Sequence, residues 1–252
     1  MAINLQKGQT IDLRKNAQGV DEFDLSTMTI GLGWDIRKPK STGFLSGLFG
    51  GGKKEEDYDL DAIAFLLDKN DQVTNLGKEL NINGHRVGLN QSDVVFFNNL
   101  TMPSGSFGIY QGLSKSDTQR KVQQLIAQGE YIIHTGDNLT GDGDGDDEQI
   151  ILRLDTVPER INKIIFVVCI YQGTQKNQHF GNVENAFVRA VDAKGKEIAR
   201  FSLSGEEAYN GMASMVFAEI YRRDGAWKFR ALGNPHKEDS FIGILKNYVP
   251  NA

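Results

Sequence analysis

Cysteine is nearly absent from this chain. The single one, Cys169, excludes an internal disulfide, and its place inside the apolar run IIFVVCIY reads as a small buried hydrophobe in a reducing compartment rather than a reactive thiol. Histidine is also sparse: His85, His134, His179 and His236 are scattered without the spacing of a metal-ligand or acid–base pair. No stretch has the length and apolarity of a membrane span, and the opening MAINLQKGQTIDLRK has no apolar core of signal-peptide length. No phosphate-cradling motif with a catalytic lysine and no nucleophile elbow occurs. A basic excess is missing too, which argues against nucleic acid as a partner. The expected location is the cytoplasm.

What is present is ordinary in bulk and unusual in one place. The chain has 252 residues, 39% hydrophobic and 24% charged, within the range of a soluble globular protein. The run TGDNLTGDGDGDDE places six carboxylates between Asp137 and Glu148, with no basic residue among them. The formal net charge of −5 becomes +1 once these six are set aside, so the acidity is local. Two carboxylates about 5 Å apart repel by roughly 3 kcal/mol at an effective dielectric of about 20, so an ordered turn that gathers Asp142, Asp144, Asp146, Asp147 and Glu148 calls for a cation. The interspersed glycines let the backbone curl, and all-oxygen donors favour calcium over magnesium. The alternative reading is a solvated acidic loop. An EF-hand does not match, because counting from Asp142 puts Asp147 at the sixth position and Arg153 at the twelfth.

Short β-branched and aromatic runs recur between turn signals along the chain, among them FDLSTMTIGLGW, LDAIAFLLD, DVVFFNNL, INKIIFVVCIYQ and GMASMVFAEIYRR. Asp192–Gly195 and Asp224–Gly225 read as hairpin turns. The expected fold is all-β, a two-sheet β-sandwich with one or two short peripheral helices. One helix is expected within Ser114–Gly129, capped by Ser116 and burying Val122, Leu125 and Ile126, and a second in the tail FIGILKNYV. The segment between Ile36 and Asp57 is Gly-rich and carries Phe44, Leu45, Leu48 and Phe49 between lysines. It reads as a loop insertion, or as an apolar docking arm. No internal repeat of convincing fixed period is visible.

Several motifs together resemble the tellurium-resistance TerD family of bacterial stress proteins, which also includes proteins described as cyclic-AMP-binding. They are LGWD (Leu32 to Asp35), DLDAIAFLLD (Asp59 to Asp68), FFNNL (Phe96 to Leu100), HTGDNLTGDGDGDDE (His134 to Glu148), NAFVRAVD (Asn185 to Asp192) and the closing AEIYRRDGAWKFRALG. The resemblance implies one domain over residues 1–252, with insertions at about 36–57 and 101–130. It also implies calcium, more than one ion, held by acidic loops at one end of a β-sandwich. The implied donors are Asp35, Asp59, Asp61, Asn98, Asn99, Asp137, Asn138, Asp146, Asp147 and Glu148.

The expected function is that of a non-enzymatic, calcium-binding stress-response protein associated with tellurite resistance, whose metal-ordered loops present a partner-binding surface. The expected partners are other proteins of such a system, with peripheral contact at the inner membrane face through residues 41–52. The alternatives are a metal-dependent phosphoester hydrolase, for which His134 is the one candidate proton donor, and a cyclic-nucleotide or small-anion binding protein.

Overall fold

The structure is a computed structural model that describes residues 3–4, 6–13, 23–36, 58–82, 85–136, 146–202 and 209–250. Its strands in chain order are β1 (Ile3–Asn4), β2 (Thr10–Asp12), β3 (Met28–Ile36), β4 (Leu60–Leu67), β5 (Lys78–Ile82), β6 (His85–Asn90), β7 (Val94–Val95) and β8 (Thr101–Met102). After helix α1 (Lys115–Ala127) come β9 (Ile132–His134), β10 (Glu148–Leu152), β11 (Lys163–Ile170) and a one-turn helix α2 (Gly173–Lys176). The chain closes with β12 (Val183–Asp192), β13 (Glu197–Ser202), β14 (Ser214–Arg223), β15 (Ala226–His236) and α3 (Phe241–Leu245).

A seven-stranded sheet runs in the order β1-β13-β12-β3-β10-β9-β8, and a six-stranded sheet in the order β2-β15-β14-β11-β4-β7. A separate hairpin pairs β5 with β6. Apart from the parallel β1–β13 contact, the pairings are antiparallel. This is the expected β-sandwich. Its main core alternates residues from both sheets, such as Ile30, Leu32 and Trp34 of β3 against Ala62, Ala64 and Leu66 of β4. Strand β4 is apolar almost throughout because both of its faces are covered. Ile63, Phe65 and Leu67 turn outward beneath Ile244 and Leu245 of α3, whereas β15 alternates buried and half-buried positions. The tail helix therefore closes the outer face of the six-stranded sheet.

Both predicted hairpin turns form. Asp224 and Gly225 take φ of 54° and 73°, the paired positive values of a tight turn whose twist matches its strands, and Asp192 closes the β12–β13 turn with Gly195 at φ 78°. Two local expectations are corrected. Helix α1 is capped by Ser114, not Ser116: Ser114 is extended and its Oγ accepts the Asp117 N–H, which leaves Ser116 inside the first turn. In DVVFFNNL only Val94–Val95 pairs as strand, because the chain then folds back at Phe96–Asn99, closed by backbone bonds of 3.2 and 2.8 Å. The predicted insertion 36–57, apart from Ile36, and the predicted docking arm 41–52 lie outside the described residues.

Candidate metal centre

Strand direction decides which acids can meet. The C-terminal ends of β3 and β9 and the N-terminal ends of β4 and β10 lie at one pole of the sandwich: the registers Glu148↔Leu32, Ile150↔His134, Glu184↔Asp35 and Cys169↔Asp61 align them within each sheet, and bonds from Glu148 and His134 to Ala62 join the two sheets there. Asp35 in β3, Asp59 just before β4, Asp61 within it, and both stems of the β9–β10 loop therefore share this pole. Asp59 is half-buried and Asp61 is 8% exposed. Asn98 is half-buried in the Phe96–Asn99 turn. The side chain of Asn99 is fully buried and already engaged: Nδ2 donates to the carbonyls of Ser92 and Val94, and Oδ1 accepts the Gln91 N–H. The predicted donors Asp137 and Asn138, with Asp142 and Asp144, lie outside the described residues.

The three acids at the end of the run each reach a different part of the fold. Asp146 turns onto the seven-stranded sheet, where Oδ1 accepts from Arg189 Nε at 2.7 Å and Oδ2 from Gln149 Nε2 at 3.0 Å. Its carboxylate fills the space above Gly31, where an added Cβ would come within 2.2 Å of it. Asp147 extends the ladder on β3, its N–H donating to Leu32 O at 2.8 Å and its Oδ2 accepting the Trp34 N–H at 3.0 Å. Glu148 turns inward, fully buried, and its Oε2 accepts the Ala62 N–H at 2.7 Å. At the other stem, Thr135 N–H donates to Gln149 O at 3.0 Å.

His134 is 1% exposed and stands 3.6 Å from the Glu148 carboxylate. Its Nδ1 accepts the Gly136 N–H at 3.1 Å, so Nε2 carries the proton and donates to Ala62 O at 2.9 Å. Burial lowers its pKa to about 4, so the ring is neutral at pH 7 and structural in its contacts. Cys169 is buried beside Asp61 and Ser214, and burial pushes its thiol well above the ordinary range.

Among the described residues, no three His, Cys, Asp or Glu side chains stand together as a metal-holding group. The chemistry of the donor set at this pole nonetheless fits a hard cation: Asp59 and Asp61 offer oxygen donors at the foot of β4, beside a loop whose remaining acids are also oxygen donors. A cavity of about 1370 Å³ lies at the opposite pole, lined in part by Phe23, Lys194, Lys196, Arg222 and Trp227, and none of the predicted donors among the described residues lines it. Sequence reasoning missed Gly31, Ala62 and Arg189. For Gly31 there was a signal, since glycine inside the strand pattern IGLGW marks a close approach. For Ala62 there was none, because its role lies in its backbone N–H and C=O.

The fold agrees with the comparisons to known proteins. The TerD domain family model matches the chain twice, over residues 1–127 and 122–248, and the chain belongs to this family. It is 47% identical over 249 residues to the tellurium resistance protein TerX of Serratia marcescens, across 99% of this chain and 100% of that protein. It is 36% identical to the tellurium resistance protein TerD of the same organism, over the full length of both, and 36% identical to the stress response protein SCP2 of Bacillus subtilis (strain 168), across 99% and 100%. Among solved structures, a homologue of telluride resistance protein TerD from Streptomyces coelicolor A3(2) superposes with a TM-score of 0.50 at 19% identity, across 89% of this chain and 99% of that one. That likeness bears on the fold alone. The family is one of tellurium-resistance and stress-response proteins. No helix among the described residues is long and apolar enough to cross a membrane.

Proposed function

We propose that this chain is a calcium-binding, non-enzymatic stress-response protein associated with tellurite resistance, in which metal orders the acidic loop and the ordered pole presents a surface to other proteins of the same system. The observation that carries this reading is topological: the end of β3, the start of β4 and the two described stems of the acidic run lie at one pole, so Asp35, Asp59 and Asp61 share it with Asp146, Asp147 and Glu148. Calcium supplies the positive charge that lets these oxygens converge. The donors expected from the sequence are Asp35, Asp59, Asp61, Asn98, Asn99, Asp137, Asn138, Asp146, Asp147 and Glu148; with Asp146 held by Arg189 and Gln149, and Glu148 by the Ala62 N–H, the donor set of this reading is the other eight. A carboxylate has about four lone-pair positions, so the bond from Trp34 does not by itself remove Asp147 from that set. Peripheral contact with the inner membrane face through residues 41–52 belongs to the same proposal, as does a cytoplasmic location.

The non-enzymatic part rests on His134, which is neutral and has both ring nitrogens occupied by backbone groups, so it is not poised to transfer a proton. Calorimetric titration of the chelator-treated protein tests the calcium reading: saturable heat is expected with calcium and much weaker heat with magnesium. Absence of binding at millimolar calcium would reject it. Phosphoester turnover that scaled with protein concentration, required a divalent ion and vanished in Asp59→Asn would favour the hydrolase instead.

A further inference from the structure

His134 and Glu148 flank the acidic loop, one on each side, and both close on the backbone of one residue in the opposite sheet, Ala62. Strand β7 pairs with β4 only at Ala64 and Phe65, while Leu66 N–H meets Asp93 O on that side. Ala62, two residues before Ala64, directs its N–H and C=O to the same side beyond the reach of β7. A third residue of a neighbouring strand would ordinarily satisfy them. Here an acceptor-only carboxylate takes the N–H at 2.7 Å and an imidazole N–H takes the C=O at 2.9 Å, with all three residues buried.

We propose that His134 and Glu148 form a clamp on the backbone N–H and C=O of Ala62 that holds both stems of the acidic run against β4, so that seating these stems and closing this pole of the sandwich are one event. The clamp seats both loop stems beside the residue that follows Asp61, which fixes the stems relative to Asp59 and Asp61 before any ion arrives. Glu148 is on this account a positioning residue, and Asp146, held above Gly31 by Arg189 and Gln149, anchors the same stem on the other face of its sheet. The ion's ligands then come from the remaining donors. The link to calcium rests on the proposed function; the clamp itself does not.

The test uses the full chain and three variants, His134→Ala, Glu148→Ala and Glu148→Gln. Hydrogen exchange at the Ala62 amide is measured without metal, calcium affinity by calorimetry, and inner-sphere water by the luminescence lifetime of terbium(III) standing in for calcium. Both alanine variants should speed Ala62 exchange by about tenfold or more and raise the calcium Kd by about tenfold, the loss common when a group that orients ligands is removed. Glu148→Gln keeps an acceptor for the Ala62 N–H, so its exchange rate and Kd should stay within about threefold of the parent, with an unchanged water count. Slow Ala62 exchange in Glu148→Ala would overturn the clamp. A tenfold weaker Kd with added inner-sphere water in Glu148→Gln would make Glu148 a ligand and overturn the assignment even if the alanine variants fail to fold. If the parent chain binds no calcium, the proposed function fails, and metal-free exchange at Ala62 still decides the clamp.

Discussion

At the residue scale, His134 carries the clearest consequence of burial. The unfolded chain takes up its proton near pH 6.5, but the folded chain does so only near pH 4, because burial penalises the imidazolium. Between those values the unfolded state holds more protons, so stability falls as pH drops. The contribution is complete above about pH 6.5 and exhausted by about pH 4. The shift corresponds to about 3 kcal/mol at most, since the Glu148 carboxylate 3.6 Å away favours the charged ring. Urea unfolding at pH 7 and pH 5 should show this loss in the parent and a weaker pH dependence in His134→Gln; an imidazole NMR titration with its midpoint near 6.5 would contradict it. The sequence marked His134 as a neighbour of the acidic run and as the one candidate proton donor. Its neutrality depends on Gly136 and Ala62, one local and one distant contact.

At the scale of elements, pattern was a good guide wherever one face of an element is buried. Strands β10 and β15 alternate as their sequences do, and α1 buries Val122 and Leu125 against Ile133 as its spacing predicts. Boundaries were less legible. The choice between Ser114 and Ser116 as cap turned on one extended residue, and it yields a direct comparison: Ser114→Ala should lower stability by about 1 kcal/mol in denaturant melts, while Ser116→Ala should have little effect. An equal loss from both would reject the assignment. The strand-like FFNNL became a turn because the buried amide of Asn99 satisfies Ser92, Val94 and Gln91 at once, an arrangement no periodicity encodes.

At the scale of the molecule, both sheets draw strands from both segments matched by the family model: β3 and β8 lie with β9, β10, β12 and β13 in one sheet, and β4 and β7 with β11, β14 and β15 in the other. The crossover from β3 to β4 is echoed by that from β10 to β11, each pair passing from the seven-stranded to the six-stranded sheet, with β3 beside β10 and β4 beside β11. No fixed sequence period announces this. Because the acidic pole joins both sheets, calcium bound there should act on global stability rather than on a local loop. At a hundredfold excess over Kd, binding to the folded state alone adds about 2.7 kcal/mol, which thermal unfolding in calcium against chelator will read. An unfolding midpoint indifferent to both would argue against the calcium reading.

The β-rich class, the hairpin turns, the peripheral helices, the inert cysteine and the acidic run follow from local pattern, because each depends on alternation, turn chemistry or charge within a few neighbours. Family membership was legible because its motifs run in order along most of the chain. The division of labour among the acids was decided only in three dimensions. Asp146, Asp147 and Glu148 are adjacent in sequence and alike in chemistry, yet they project to Arg189, Trp34 and Ala62, whose positions are set by strands far away in the chain. Asp146 and Glu148 are two residues apart and still take opposite faces, because Asp146 precedes β10 and bends over Gly31 while Glu148 follows the pleat inward, and only the packing of the second sheet determines what waits there.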